Sequence, residues 1–127
     1  MNLIYLVIVI VLIQYINFSV SVGKARGKYG IKAPAISGND IFERHYRVQM
    51  NTLELIIILI PALLISAQFW SPALMASIGF IFVIGRFIYS RTYIENPDKR
   101  TVGFALSLTP NLILLIAIIA GIIKSYL

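Results

Sequence analysis

Apolar and polar positions along the chain divide it into four long apolar runs joined by short polar segments. The runs are Leu3–Val22, Leu53–Phe69, Ala73–Tyr89 and Val102–Ile123. None alternates as a strand would, and each has the length of a helix crossing a bilayer at about 1.5 Å per residue. The second run is approached through a mixed stretch, FERHYRVQMNTLE (Phe42–Glu54), and only Trp70, Ser71 and Pro72 part the second run from the third. With their polar flanks the expected helices are about 3–22, 43–69, 73–93 and 97–124, in a single domain covering 1–127. The fold class is therefore all-α, an integral membrane four-helix bundle. Pro61 and Pro110 fall inside runs, where neighbouring membrane helices tolerate them. Asn96-Pro97 reads as an N-cap followed by proline at the first helical position, which places Asp98, Lys99 and Arg100 on the first turn of the fourth helix.

Composition agrees with this picture. Of 127 residues, 59% are hydrophobic and 13% charged, too few to coat a soluble domain of this size. With no cysteine there is no disulfide framework and no thiolate metal site, and the single histidine, His45, rules out a multi-histidine metal centre. No basic residue precedes the first run, whereas Lys24, Arg26, Lys28 and Lys32 follow it. Cleavable signals carry their charge in front, so this run is expected to be a retained helix.

A net charge of +6 raises the possibility of a nucleic-acid partner. The distribution argues against one. The basic residues lie in two segments, Lys24 to Arg47 and Arg86 to Arg100, with only Lys124 beyond. Four crossings put both segments on one side of the membrane. The positive-inside rule then makes 23–47 and 90–100 cytoplasmic and both termini external.

The candidate chemistry lies at that same membrane level. Arg44, Arg47, Asn51 and Glu54 are spaced 3, 4 and 3 apart and form one polar stripe on a helix. Charges facing hydrocarbon cost several kcal/mol, so the stripe must face the bundle interior or a neighbouring subunit. Arg47 and Glu54 stand two turns apart, a separation too long for close direct contact between neighbouring positions. Arg86, Tyr89 and Tyr93 form a second stripe at the same end, with Arg100 and Arg26 nearby in depth. Arg44, Arg91 and Lys99 also suit interface anchors, the tyrosines an aromatic belt, and Gly79 and Gly85 close helix approach. An intramembrane carboxylate, Glu54, is the hardest to assign to structure alone. Together these groups suit a small zwitterionic ligand. Arginines would clamp carboxylates, Glu54 would accept an ammonium group, and an apolar cleft beside them would admit a hydrophobic second substrate. A lipid-binding scaffold and a proton-coupled transporter, with Glu54 as coupling carboxylate, are the alternatives.

The stretch Phe42–Glu54 resembles a signature of the membrane-associated proteins in eicosanoid and glutathione metabolism, with Glu43, Arg44, Arg47, Gln49, Asn51 and Glu54 matching. GRFIYSRTYIENPDKR (Gly85–Arg100) resembles the second block of that family, and VGKAR (Val22–Arg26) its arginine at the end of the first helix. The blocks occur in order and cover essentially the whole chain. The resemblance implies a homotrimer of four-helix subunits in the lipid bilayer, with glutathione as co-substrate between adjacent subunits and no metal. It implies that Arg26, Arg47, Gln49, Asn51, Glu54, Arg86, Tyr89 and Tyr93 bind glutathione and that Arg100 stabilises its thiolate. The partner would be a hydrophobic electrophile or lipid hydroperoxide. Leu55 and Gly27 stand where the leukotriene-forming members carry a tyrosine and a second arginine. These departures favour a general detoxifying transferase, with peroxidase activity towards lipid hydroperoxides, over leukotriene synthesis.

Overall fold

A computed structural model describes all residues, 1–127. It contains four helices: α1 (Asn2–Tyr29), α2 (Asp40–Ser66), α3 (Pro72–Glu95) and α4 (Thr101–Ser125). One 3-10 turn, Pro97–Lys99, precedes α4. Each α-helix is long and apolar enough to cross a membrane.

Local chemistry sets the helix ends. α1 continues seven residues beyond the expected end at Val22, because loss of hydrophobicity marks a change of depth and not a helix stop. Lysine, arginine and alanine are good helix formers and carry the helix through Gly23 and Gly27 to Gly30. Gly30 adopts φ 68°, and its amide reaches back to the Arg26 carbonyl as a left-handed C-cap. Lys24, Arg26 and Lys28 therefore sit on a helix and not in a loop. The Asn39 side chain caps α2 by accepting from the amides of Ile41 and Phe42 at 2.9 and 3.0 Å. Helix α2 thus starts three residues before the expected position.

The expected start of the fourth helix needs correction. Asn96 does cap, accepting from the Asp98 amide at 3.0 Å, but the capped element is the 3-10 turn. Helix α4 begins only at Thr101. Asp98 and Lys99 thus precede α4, and Arg100 occupies its N-cap position.

Helix α2 packs against the other three, and α3 runs along α4. The α3–α4 approach depends on two glycines. A Cβ on Gly85 would stand 2.7 Å from the Leu106 carbonyl carbon, and one on Gly103 would meet the backbone of Tyr89. Small residues allow such backbone proximity in membranes. The core is built from apolar residues such as Ile4, Val11, Leu59, Leu63, Phe82 and Leu114. Side chains also bond backbone carbonyls of other elements within the core, Gln14 to Val83 (3.0 Å), Asn111 to Leu55 (3.2 Å) and, from the α2–α3 turn, Trp70 to Ala117 (2.7 Å). Outward faces carry exposed residues such as Ile13, Ile57, Phe87 and Ile116, which suit contact with lipid.

The charged ends of all four helices meet at one end of the bundle. Arg44 on α2 donates to the carbonyls of Ile94 (2.9 Å) and Glu95 (3.2 Å) at the end of α3. Arg26 on α1 lies 4.8 Å from the Phe42 ring centroid on α2. Arg44, expected as an interface anchor, also fastens α2 to the last carbonyls of α3.

Candidate functional site

At that end a cavity of about 700 Å³ opens between α2, α3 and α4. Its polar portion is formed by Arg47 and Asn51 of α2, Tyr89 and Tyr93 of α3, and Arg100 and Thr101. Its apolar portion is formed by Phe104, Ala105 and Leu108, with Thr109 beside them. Helix α4 thus carries the wall from Arg100 at its N-cap down into the bilayer. The close approach at Gly103 brings Tyr89 against this helix, with the Tyr89 and Phe104 ring centroids 6.4 Å apart. Tyr89 stacks on Tyr93 at 5.3 Å.

Behind the cavity runs a chain of hydrogen bonds. Arg86, with 0% exposure, donates from Nη1 to Asn51 Oδ1 at 2.9 Å. Asn51 Nδ2 donates to Glu54 Oε2 at 3.3 Å. Arg47 Nη1 donates to Glu54 Oε1 at 3.1 Å. The contact between Arg47 and Glu54 corrects the expectation that two turns are too far. The extended guanidinium arm covers the distance that the backbone spacing alone does not. Their side chains are 48% and 53% exposed, so the pair lies at an opening and not in a sealed core.

Arg86 also lies 4.1 Å from the Tyr89 ring centroid, while its Nε and Nη2 have no hydrogen-bond partner. A buried guanidinium with a ring on one face and an amide on one nitrogen is a fixed positive charge behind the cavity wall. No carboxylate reaches it directly.

The remaining residues named from sequence fall into two groups. Arg47, Asn51, Tyr89, Tyr93 and Arg100 line the cavity, with Glu54 and Arg86 bonded into the adjoining network. Arg26 and Gln49 lie elsewhere. Arg26 donates to the Ala35 carbonyl at 2.6 Å, and Gln49 donates to Ser19 Oγ at 2.9 Å and Tyr15 Oη at 3.4 Å on the α1 side. Arg100 donates to the Pro97 carbonyl at 3.0 Å and remains exposed. Its position at the start of α4 aligns a full positive charge with the positive helix terminus. No three acidic, histidine or cysteine side chains gather anywhere in the chain as a metal site would require.

Sequence inspection missed Thr101, Phe104, Ala105, Leu108 and Thr109. Their 3- and 4-residue spacings were visible, but within a continuous apolar run a cavity wall and a lipid-facing stripe have the same pattern.

Four membrane-length helices around a cavity that is charged at one end and apolar below define an integral, multi-pass membrane protein of the four-helix bundle class. A family model, that of the MAPEG family, matches residues 3–120, and the chain belongs to that family. It is 38% identical over 109 residues to an uncharacterized protein of Synechocystis, covering 86% of this chain and 80% of that protein. It is 35% identical over 114 residues to microsomal glutathione S-transferase 2 of Homo sapiens, covering 90% of this chain and 78% of that protein. The corresponding Bos taurus protein is 34% identical over the same length and coverage.

Proposed function

We propose that the protein is a membrane-bound glutathione transferase that conjugates glutathione to hydrophobic electrophiles. The observation carrying this reading is the 700 Å³ cavity, which has arginines, an amide and phenols at one end and an apolar wall continuing from it. Similarity to proteins named microsomal glutathione S-transferase supports the same substrate.

Glutathione carries two carboxylates, one ammonium group and one thiol. Arg47 and Tyr93 bind carboxylate, and Asn51 bonds the peptide portion. Glu54 takes the ammonium group by sharing the carboxylate that already holds Arg47 and Asn51. Arg86 fixes Asn51 from behind. Arg26 and Gln49 reach glutathione from a neighbouring subunit, because within one chain both point away from the cavity. A site built from two subunits is what a homotrimer would provide.

The thiol is placed at Arg100. A free thiol has a pKa near 8.5 and is mostly protonated at neutral pH. A guanidinium at a helix N-terminus favours the thiolate, which is the nucleophile. The thiolate attacks the electrophilic carbon of an acceptor lying along Phe104, Ala105 and Leu108. The new carbon–sulfur bond forms as the leaving group departs with the electron pair. With a lipid hydroperoxide the thiolate instead attacks the terminal oxygen and releases an alkoxide, which takes a proton. A second glutathione then resolves the sulfenic acid to disulfide and water. Detoxification of membrane-dissolved electrophiles follows from this chemistry. The basic segments 23–47 and 90–100 face the cytoplasm, where glutathione is supplied, and both termini lie outside.

The test compares turnover of a hydrophobic aryl halide by wild type and Arg100→Ala in detergent. Glutathione affinity should change little, while the conjugation rate should fall about 10²-fold or more, the scale of losing one charge-stabilising group. Equal rates would remove Arg100 from the mechanism. Absence of any glutathione-dependent turnover in wild type would favour a lipid-binding scaffold.

A further inference from the structure

A second polar cavity, of about 180 Å³, lies between α1 and α2, and the proposed reaction has no use for it. Its polar lining is Ser21, Lys24, Lys28 and Tyr29 of α1 and His45 of α2. We propose that it binds the phosphate group of an anionic membrane lipid.

Depth is the first support. α1 has 28 residues. At about 1.5 Å each this is about 42 Å, roughly 12 Å more than the ~30 Å hydrocarbon core. The last two turns of α1, which carry Lys24, Lys28 and Tyr29, therefore stand at headgroup level. An apolar chain attached to a ligand here would run down the lipid-facing side of the bundle.

Charge is the second. Lys24 and Lys28 are four apart on one helix face, an arrangement that is mutually repulsive without an anion. The ion pairs of the chain, Arg47–Glu54 and Lys99–Glu95, are elsewhere. Arg26, the intervening basic residue, bonds Ala35 and lies over Phe42, so it does not contribute to this cavity. The cavity thus concentrates two ammonium groups with no carboxylate partner, Lys28 lying 5.4 Å from the centroid of the Tyr29 ring.

Donor chemistry is the third. A phosphate diester presents acceptor oxygens and no donors. Two lysines, a phenol and an imidazole meet it from two helices. Ser21 donates its own hydroxyl proton to the Asn17 carbonyl at 3.1 Å, which leaves its oxygen for water or a glycerol hydroxyl. The size admits a phosphate with adjoining glycerol carbons, not a whole lipid. A choline group beside the phosphate would be repelled by the lysines, so phosphatidylglycerol is favoured over phosphatidylcholine.

The experiment is a lipid titration of the whole protein in detergent micelles, with retained lipid read by native mass spectrometry. The probes are phosphatidylglycerol and phosphatidylcholine. Phosphatidylglycerol should bind saturably and about tenfold or more tightly. The exposed double variant Lys24→Ala/Lys28→Ala, checked for unchanged helix content, should lose roughly tenfold or more in affinity, the scale of two interfacial lysines. Arg91→Ala/Lys99→Ala removes the same charge at the same end of the bundle but outside the cavity, and should bind as wild type does. Equal loss in both double variants, or equal retention of the two lipids, would reduce the effect to general surface charge and overturn the proposal. Displacement of phosphatidylglycerol by millimolar inorganic phosphate would assign the cavity to the free anion and overturn the lipid assignment.

Discussion

Arg86 on α3 and Asn51 on α2 are joined by a 2.9 Å hydrogen bond, with the arginine fully buried and the asparagine 6% exposed. The bond does more than hold two helices together. The other end of the Asn51 amide holds Glu54, and Glu54 holds Arg47. Arg86 thereby sets which way the amide faces, and the amide sets the carboxylate.

Arg86→Ala leaves Asn51 Oδ1 buried without its donor. The unmet acceptor should cost about 1–3 kcal/mol, visible as a lower melting temperature in detergent. Arg86→Lys retains a cation but loses the planar fork, so Asn51 becomes free to turn. Its glutathione affinity should fall about tenfold with a smaller loss of stability. Unchanged affinity in Arg86→Lys would show that Asn51 needs no such orientation.

Glu54→Gln keeps the size and most hydrogen bonds but removes the charge proposed to meet an ammonium group. Glutathione binding by calorimetry should weaken about tenfold or more, the range of a charge-assisted hydrogen bond. An analogue lacking the ammonium group should bind wild type and variant alike. A full loss for that analogue too would place Glu54 in a structural role only.

Gly103 and Gly23 provide a contrasting pair. A Cβ on Gly103 meets the Tyr89 backbone, whereas one on Gly23 has nothing within 4 Å. Gly103→Ala should destabilise by about 1–3 kcal/mol or more and displace Tyr89 from the cavity. Gly23→Ala should be neutral or stabilising by about 0.5–1 kcal/mol. Thermal melts of the two variants check both.

Arg26 and Gln49 point away from the cavity of their own chain. If they serve a neighbouring subunit, Arg26→Ala and Glu54→Ala, each weakened alone, should regain activity when co-expressed. A mixed trimer would then hold some sites with both residues intact. Activity no greater than the mean of the two separate variants would confine each site to one chain.

Much of the fold was legible because membrane helices announce themselves by apolar length. The polar stripes were legible for the complementary reason, since a charge such as Glu54 inside a bilayer demands a partner. Hydrophobicity did not show where α1 stops, because Gly23–Tyr29 leaves the hydrocarbon without leaving the helix. Nor did the Asn96-Pro97 cap reveal that the turn it begins would be 3-10 and set Arg100 at the N-cap of α4. The pairing of Arg47 with Glu54 depends on side-chain reach, which backbone periodicity does not contain. The apolar wall at Phe104 and Leu108 was hidden because cavity and lipid select the same residues.

Arg100 is proposed to turn bound glutathione into a thiolate. An ultraviolet difference titration of the purified protein with glutathione, beside Arg100→Ala, tests it most directly. A saturable thiolate band in wild type that is lost in the variant, with binding by calorimetry retained in both, is the expected result. Binding in wild type without a thiolate band, or a band of equal size in Arg100→Ala, would contradict it.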